Sequence, residues 1–424
     1  MPVSRLRFES LPHAIFLQRA SGRDSAAGLE ARLGQGAFLA LRLVDLLAPD
    51  PAPVSEDSFH YQWIATDRFC RELSATAAEG AHIHAIAQSA SEARRLDDAQ
   101  LVAPSLFAYG HYLETELRLE EAIDVLATML GVVGSRLSPA DAVAARLRFA
   151  RVHRMLNRFD EAEAAYAEAG ELARRAGDRY SELVSRIGRA ETERGRGNLA
   201  DAERQLLEVL AEARATGERY AEALAEQGLG VALSSRGQPD LAVQHLCRAY
   251  ALYDDEETKI RVLCDVGLML LMLGDSVGAE RALLEVLRRG PTDEVASNAM
   301  IELMHCASFR RDHVGFARWR ERCEQRLPDM PPNIRTDFYF KQGIGQARFG
   351  RYQRAAELMK QALDIAGATG LHEFEFRIER ILAGLNGCEQ ALKHEVQPAT
   401  EPVIHNAELD GVAEFLALLS RGSG

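Results

Sequence analysis

The chain predicts an all-α solenoid of stacked antiparallel helix pairs, and three observations predict it. One turn-plus-helix phrase recurs seven times along the 424 residues: RLEEA ending at Ala122, RFDEA at Ala162, GNLADA at Ala202, GQPDLA at Ala242, GDSVGA at Ala279, DHVGFA at Ala317 and GRYQRA at Ala355. The anchor alanines are 37 to 40 residues apart, a period that marks repeat architectures. Before each anchor lies an amphipathic run such as AEALAEQGLGVALSS or IRVLCDVGLMLLML, with apolar residues at three- and four-residue spacing. Between the run and the anchor stands a break, typically Gly beside Asp, Asn, Gln or Arg, which supplies backbone freedom and a capping side chain.

Each unit therefore reads as two helices joined by a tight turn. Small residues recur in the first helix, at Gly110, Ala150, Ala190, Gly230, Gly267 and Gly343, where lack of bulk lets the two helices approach. A single helix of this length is marginal in water, so stacking of units stabilises the array. Taken in order, residues 1–58 form an N-terminal helical segment and linker. Two or three short helices are expected within 10–47, ending in GAFLALRLVDLL, before the Pro-rich APDPAPVSEDS. Residues 59–97 read as a degenerate repeat and 98–390 as the array of seven units. Residues 391–424 hold a second linker, VQPATEP, and a short amphipathic helix, AELDGVAEFLALLS, that folds back over exposed apolar surface.

Composition narrows the function classes. The formal charge of −13 opposes the phosphate backbone, so nucleic acid is not an expected partner. Six scattered cysteines without a CxxC pair read as reduced, mostly buried thiols of a cytoplasmic protein. The opening MPVSRLRFESLPHAIF lacks the apolar core of a secretory signal, and the most apolar stretch, 262–273, is too short to span a bilayer, so no membrane role is expected.

The combination of an LG-type pair, best preserved at Leu229 and Gly230, with the anchor alanines resembles the tetratricopeptide repeat over roughly residues 98–390. The units are longer than the usual period of about 34 residues. They look like the arrays of kinesin light chains and of bacterial signalling and transcription regulators of the maltose-activator kind. The resemblance implies a right-handed superhelix whose first helices line a concave groove. Positions 18, 15, 11, 8 and 7 residues before each anchor then face that groove. They give Leu147, Arg151 and Arg154; Ile187, Glu191 and Arg194; Leu224, Gln227 and Val231; Arg261, Leu268, Leu271 and Met272; Glu302, Phe309 and Arg310; and Phe340, Ile344 and Arg348. The candidate peptide-binding set is Arg151, Arg154, Arg194, Arg261, Leu268, Leu271, Phe309, Arg310, Phe340 and Arg348.

Such a groove suits a protein or peptide segment bearing apolar anchors and carboxylates, the apolar contact supplying affinity and arginine forks orientation. Alternatively, those arginines pair with Glu on neighbouring repeats and some of the apolar residues are core. The Lys-plus-Asn clamp of chaperone-docking repeats is missing, its positions being held by pairs such as Phe107 and His111.

No catalytic constellation emerges. GDSVG at 274–278 matches a nucleophile elbow but follows a helix rather than a strand. His82 and His84 point to different faces of a helix, HEFEFR at 372–377 lacks the second histidine of a zinc-protease helix, and His305, Cys306 and His313 straddle a turn. The expectation is a non-enzymatic scaffold or adaptor without cofactor or metal. The alternative is a peptide-responsive regulator whose superhelix changes shape on binding.

Overall fold

A computed structural model describes residues 11–19, 27–48, 54–369, 371–391 and Val412. Among the described residues every regular element is a helix, and none is long and apolar enough to cross a membrane. The chain divides into two compact units, residues 1–196 and 197–424.

The first unit runs α1 (Ala14–Gln18), α2 (Ala27–Asp45), α3 (Glu56–Ser74), α4 (Ala78–Leu96), a 3-10 turn (Ala99–Val102), α5 (Ala103–Thr115), α6 (Leu119–Val133), α7 (Pro139–Met155), α8 (Phe159–Ala176) and α9 (Arg179–Gly195). Pairs α3–α4, α5–α6 and α7–α8 stack in series, and α9 packs on α8. The N-terminal helices rest against the array: α2 packs on α3, α4 and α6, and α1 lies between α2 and α6. Phe16, Leu41, Val44, Ile83, Leu106 and Leu126 share one buried core across these elements.

Charge fastens the same region. Glu79, 4% exposed, receives Tyr109 Oη at 2.8 Å, Arg19 Nη1 at 2.9 Å and Arg118 Nη1 at 2.7 Å. His13 bridges Asp124 at 2.6 Å and Asp45 at 3.1 Å.

The second unit runs α10 (Leu199–Thr216), α11 (Arg219–Ser235), α12 (Pro239–Leu252), α13 (Glu256–Met272), α14 (Ser276–Arg288), α15 (Asp293–Phe309), α16 (His313–Arg326), a 3-10 turn (Leu327–Asp329), α17 (Pro332–Arg348), α18 (Tyr352–Thr369) and α19 (His372–Ala391). Pairs α11–α12, α13–α14, α15–α16 and α17–α18 follow one another, each packing on the next. The C-terminal helix expected within AELDGVAEFLALLS lies outside the described residues except for Val412, which is helical and 3% exposed within this unit's core.

These pairs are tetratricopeptide-like in the way they pack. The residue before each second helix's N-cap adopts positive φ: Leu117, Asn157, Gly197, Gly237, Gly274, Arg311 and Gly350. Only glycine takes that conformation freely, which is why Gly recurs in the turn. Four residues beyond each N-cap sits a fully buried alanine at 122, 162, 202, 242, 279 and 355. The sixth unit differs. Counting from its N-cap Asp312, the buried position is Phe316 rather than Ala317, which is exposed, so alignment on alanine places this unit one residue out of register.

The small-residue positions are where helices touch. A Cβ on Gly230 would stand 2.8 Å from Leu246 Cγ and 3.2 Å from the Ala242 carbonyl oxygen, whereas a Cβ on Gly131 would meet nothing within 4 Å. Gly230→Val is therefore expected to lose about 1–3 kcal/mol by overpacking. Gly131→Ala is expected to be neutral or to gain up to about 1 kcal/mol from helix propensity. Thermal denaturation of the two variants checks the difference; equal midpoints would refute the close-approach role of Gly230.

Thiol chemistry is quiet: among the described residues Cys70, Cys247, Cys264, Cys306 and Cys323 are free, and burial pushes Cys70, Cys247, Cys306 and Cys323 up to about 12. Among the described residues no group of three or more His, Cys, Asp or Glu side chains could hold a metal ion.

Candidate functional site

Three of the six arginines singled out by the repeat pattern, Arg151, Arg154 and Arg310, pair with carboxylates of neighbouring helices. Arg151 Nε meets Glu114 of the preceding pair at 2.7 Å, and Arg148 meets the same carboxylate at 3.4 Å. Arg194 binds Glu191 at 2.8 Å, with Arg154 approaching that carboxylate to 3.9 Å. Arg310 forks onto Glu280 of the preceding second helix at 2.6 and 2.8 Å. The turns repeat the device, Arg158 reaching back to Glu120 at 2.5 Å and Arg196 to Asp160 at 2.7 Å. Among the described residues Arg261 makes an exposed ion-pair contact of 3.7 Å with Glu257 one turn away. Exposed pairs of this kind contribute about 0–1 kcal/mol each, so their sum stitches units together without fixing any one contact.

Among the apolar candidates, Leu271 and Phe340 are core residues, 3% and 2% exposed, while Leu268 is half-buried and Phe309 is 44% exposed. Phe309 and Arg348 are brought together: the guanidinium carbon stands 3.6 Å from the ring centroid.

Counting from the N-caps instead of the alanines defines a recurring stripe along the first helices of the second unit, the face that the resemblance assigns to the wall of the groove. On α13 it comprises Arg261, Asp265, Leu268 and Met272; on α15, Asn298, Glu302, His305 and Phe309; on α17, Asp337, Lys341, Ile344 and Arg348. The spacing of three and four residues puts each set on one helix face. Ten of the twelve touch solvent, the deep pair Glu302 and Lys341 being buried. The first row of the stripe carries Arg261 and Asp337; the last carries Met272, Phe309 and Arg348, with Met272 51% exposed and Ser234 Oγ 3.9 Å from its sulfur.

The middle of the wall is electrostatically tense. The Lys341 ammonium donates to Glu302 Oε1 and, at 2.7 Å, to Asp337 Oδ2, while Glu302 Oε2 has no partner among the described residues. Burial works to discharge Lys341, but Asp337 and Glu302 overcome it and hold the ammonium above its ordinary range. Burial raises Glu302, against the pull of Lys341. It also pushes Asp265 up to about 6, despite the Gln227 side chain and Arg261. Glu302 and Asp337 thus share one ammonium.

One turn further along, the sign reverses. Burial and the positive Arg348 drive His305 well below its usual pKa, so the imidazole is neutral and its Nδ1 stands 3.4 Å from Arg348 Nη1. Arg348 also donates to Ser308 Oγ at 2.7 Å. Burial lowers Arg348 to about 10, and among the described residues no carboxylate faces it. A partly desolvated guanidinium clasped by a serine, a neutral imidazole and an aromatic face keeps donors free for an incoming anion.

Three of these wall residues escape the alanine-anchored reading for identifiable reasons. His305 is missed because the sixth unit is displaced by one. Asp265 and Lys341 stand 14 residues before their anchors, a position absent from the pattern borrowed from the resemblance. The signal that finds Asp265 and His305 is the N-cap, Asp275 or Asp312, whose carboxylate accepts from Gly278 N at 2.8 Å and Gly315 N at 2.9 Å. That geometry also disposes of GDSVG, since Gly274 makes the turn and Ser276 opens α14. His84 is bound to Asp67 at 2.9 Å, and His313 stacks on Phe349 with ring centroids 4.0 Å apart.

No protein-family model matches the chain, and no curated protein sequence matches it. Among solved structures the chain is similar to a Rap protein complexed with competence and sporulation factor, at 12% identity, covering 81% of this chain and 98% of that one with a TM-score of 0.48. It is also similar to the Rap conjugation gene regulator of plasmid pLS20 in complex with the Phr* peptide, at 13% identity, covering 78% and 97% with a TM-score of 0.49. The apo form of the quorum sensor NprR from B. thuringiensis aligns at 11% identity over 85% of this chain and 99% of that one, with a TM-score of 0.45.

Proposed function

We propose that the inner wall of the second unit holds a peptide segment, presenting an apolar side chain and a carboxylate, and that the protein works as a non-catalytic scaffold or regulator. The observation that carries this reading is Arg348: of the candidate arginines, it alone faces no carboxylate among the described residues, and it lies over the exposed ring of Phe309. A ligand carboxylate would complete the guanidinium with charge-assisted bonds, while Phe309, Met272, Leu268 and Ile344 offer the apolar contact from which affinity comes. Of the ten candidates, Phe309, Arg348 and Leu268 form the proposed contact set and Arg261 lines its edge. Arg151, Arg154 and Arg310 serve inter-helix pairing, Arg194 pairs with Glu191 on its own helix, and Leu271 and Phe340 serve packing.

Nothing on this wall is prepared for bond chemistry. His305 is neutral and engaged by Arg348, burial keeps the neighbouring Cys264 and Cys306 thiols protonated, and Ser276 is a turn residue. The unpaired, buried cysteines fit a reducing compartment, which supports a cytoplasmic protein.

Selection from a random peptide phage library on the full chain tests the reading. Enriched peptides are expected to share an Asp, Glu or free C-terminal carboxylate beside an apolar residue, and Arg348→Gln is expected to remove the carboxylate preference. Enrichment that is indifferent to Arg348→Gln would remove the wall from consideration.

A further inference from the structure

The chain carries a segment with the chemistry that this wall selects. Between residues 401 and 420 it holds Glu401, Glu408, Asp410 and Glu414 and no Lys or Arg. Val412, Phe415, Leu416 and Leu419 recur there at the three- and four-residue spacing of an amphipathic helix. The one residue of the segment that the structure describes, Val412, is 3% exposed and belongs to the buried cluster of the second unit. Membership of that cluster seats Val412 on the unit itself. Reach is ample: α19 ends at Ala391, and the 21 residues to Val412 span up to about 70 Å when extended, against about 25 Å for a helix the length of α17.

We infer that the C-terminal segment around Val412 docks on the inner wall of the second unit as an intramolecular occupant, with its carboxylates toward Arg348, and that an external peptide must displace it. The inference rests on the peptide-binding reading above and adds regulation to it: affinity for a partner is reduced by the fraction of chains whose wall is covered. Charge complementarity favours this occupant, because the segment is acidic and Arg348 faces no carboxylate among the described residues, and tethering gives it a high effective concentration.

The test uses the full-length chain and a fluorescein-labelled synthetic peptide of residues 405–420, read by fluorescence anisotropy. Val412→Asp, which places a charge where the segment is buried, is expected to raise affinity for the peptide about ten-fold over wild type by uncovering the wall. Adding Arg348→Gln or Phe309→Ala to Val412→Asp is expected to reverse that gain; Phe309 is 44% exposed, so its truncation leaves the core untouched. Equal affinity in wild type and Val412→Asp would overturn intramolecular coverage. Binding insensitive to both wall substitutions would place the segment elsewhere. A dimer in wild type that Val412→Asp dissolves, seen by light scattering, would assign the segment to a second copy and equally overturn the proposal. The two readings fail separately: phage enrichment that is strong and identical in wild type and Val412→Asp sinks the occluding segment but keeps the peptide site, whereas no enrichment in either sinks the site.

Discussion

Lys341→Met is expected to destabilise the second unit by about 3–5 kcal/mol at neutral pH, the largest effect of any single wall substitution. The methylene stem is preserved; what disappears is the one ammonium that Glu302 and Asp337 share. Glu302 is 6% exposed, and one of its oxygens already has no partner among the described residues, so without Lys341 its charge is buried unpaired. Glu302→Gln should cost much less, since Lys341 keeps Asp337 at 2.7 Å and the amide keeps the shape. The loss in Lys341→Met should also shrink on acidification. Burial already raises Glu302, and a group whose folded pKa is raised gives stability that is present below its unfolded value and lost as pH rises through the folded one. Removing the ammonium widens that window, so pH 5 should recover part of what pH 7 forfeits. Asp265 behaves alike between its ordinary 3.8 and about 6, and Asp265→Asn should flatten the wild-type decline there. Denaturant unfolding in a Trp63→Phe background lets the buried Trp319 report on this unit. A midpoint for Lys341→Met unchanged from wild type would show that the cluster is solvated and the ion pairs dispensable.

The helix pairs were legible because they follow from local rules: a residue of positive φ, an N-cap, and a small anchor four residues on. Those rules act within a dozen residues and leave a mark at each turn. The wall is harder to read, because membership depends on register to the residue. Taking alanine as the anchor works in six units and fails where Phe316 takes its place, and that slip hides His305 while promoting Arg310, which in fact forks onto Glu280. Whether an arginine is free or paired cannot be read from its own helix either. Arg348 and Arg151 occupy comparable stripes, yet the pair preceding Arg151 supplies Glu114, whereas that preceding Arg348 supplies Ser308 and Phe309. Pairing across 34 to 43 residues is a property of two units together, and no periodicity within one of them encodes it.

Glu79→Gln is expected to cost the first unit about 3–5 kcal/mol near neutral pH, because one carboxylate there organises two arginines and a buried tyrosine. With its charge gone, Arg118 is left to Glu121, and Arg19 to Glu121 and the exposed Glu30, in a region where Glu79 is 4% exposed and Tyr109 fully buried. Burial alone would raise Glu79; hydrogen bonds from Arg118 and Arg19 overcome it and hold the carboxyl down at about 2. Its contribution is therefore complete above the unfolded value of about 4.5 and lost as pH falls toward 2. His13 supplies the opposite limb. Burial works to lower it, but Asp124 and Asp45 lift it to about 9, so its contribution is complete below about 6.5 and lost as pH rises through 9. The first unit should be most stable between these limits. In a Trp319→Phe background read through Trp63, Glu79→Gln should flatten the acid limb and His13→Gln the alkaline limb, each leaving the other intact. Because His13 and Arg19 flank α1, both substitutions should also loosen that helix from α2 and α6, seen as faster amide exchange across Ala14–Gln18. An alkaline limb that survives His13→Gln would mean that the bridge between Asp45 and Asp124 does not hold the N-terminal helix in place.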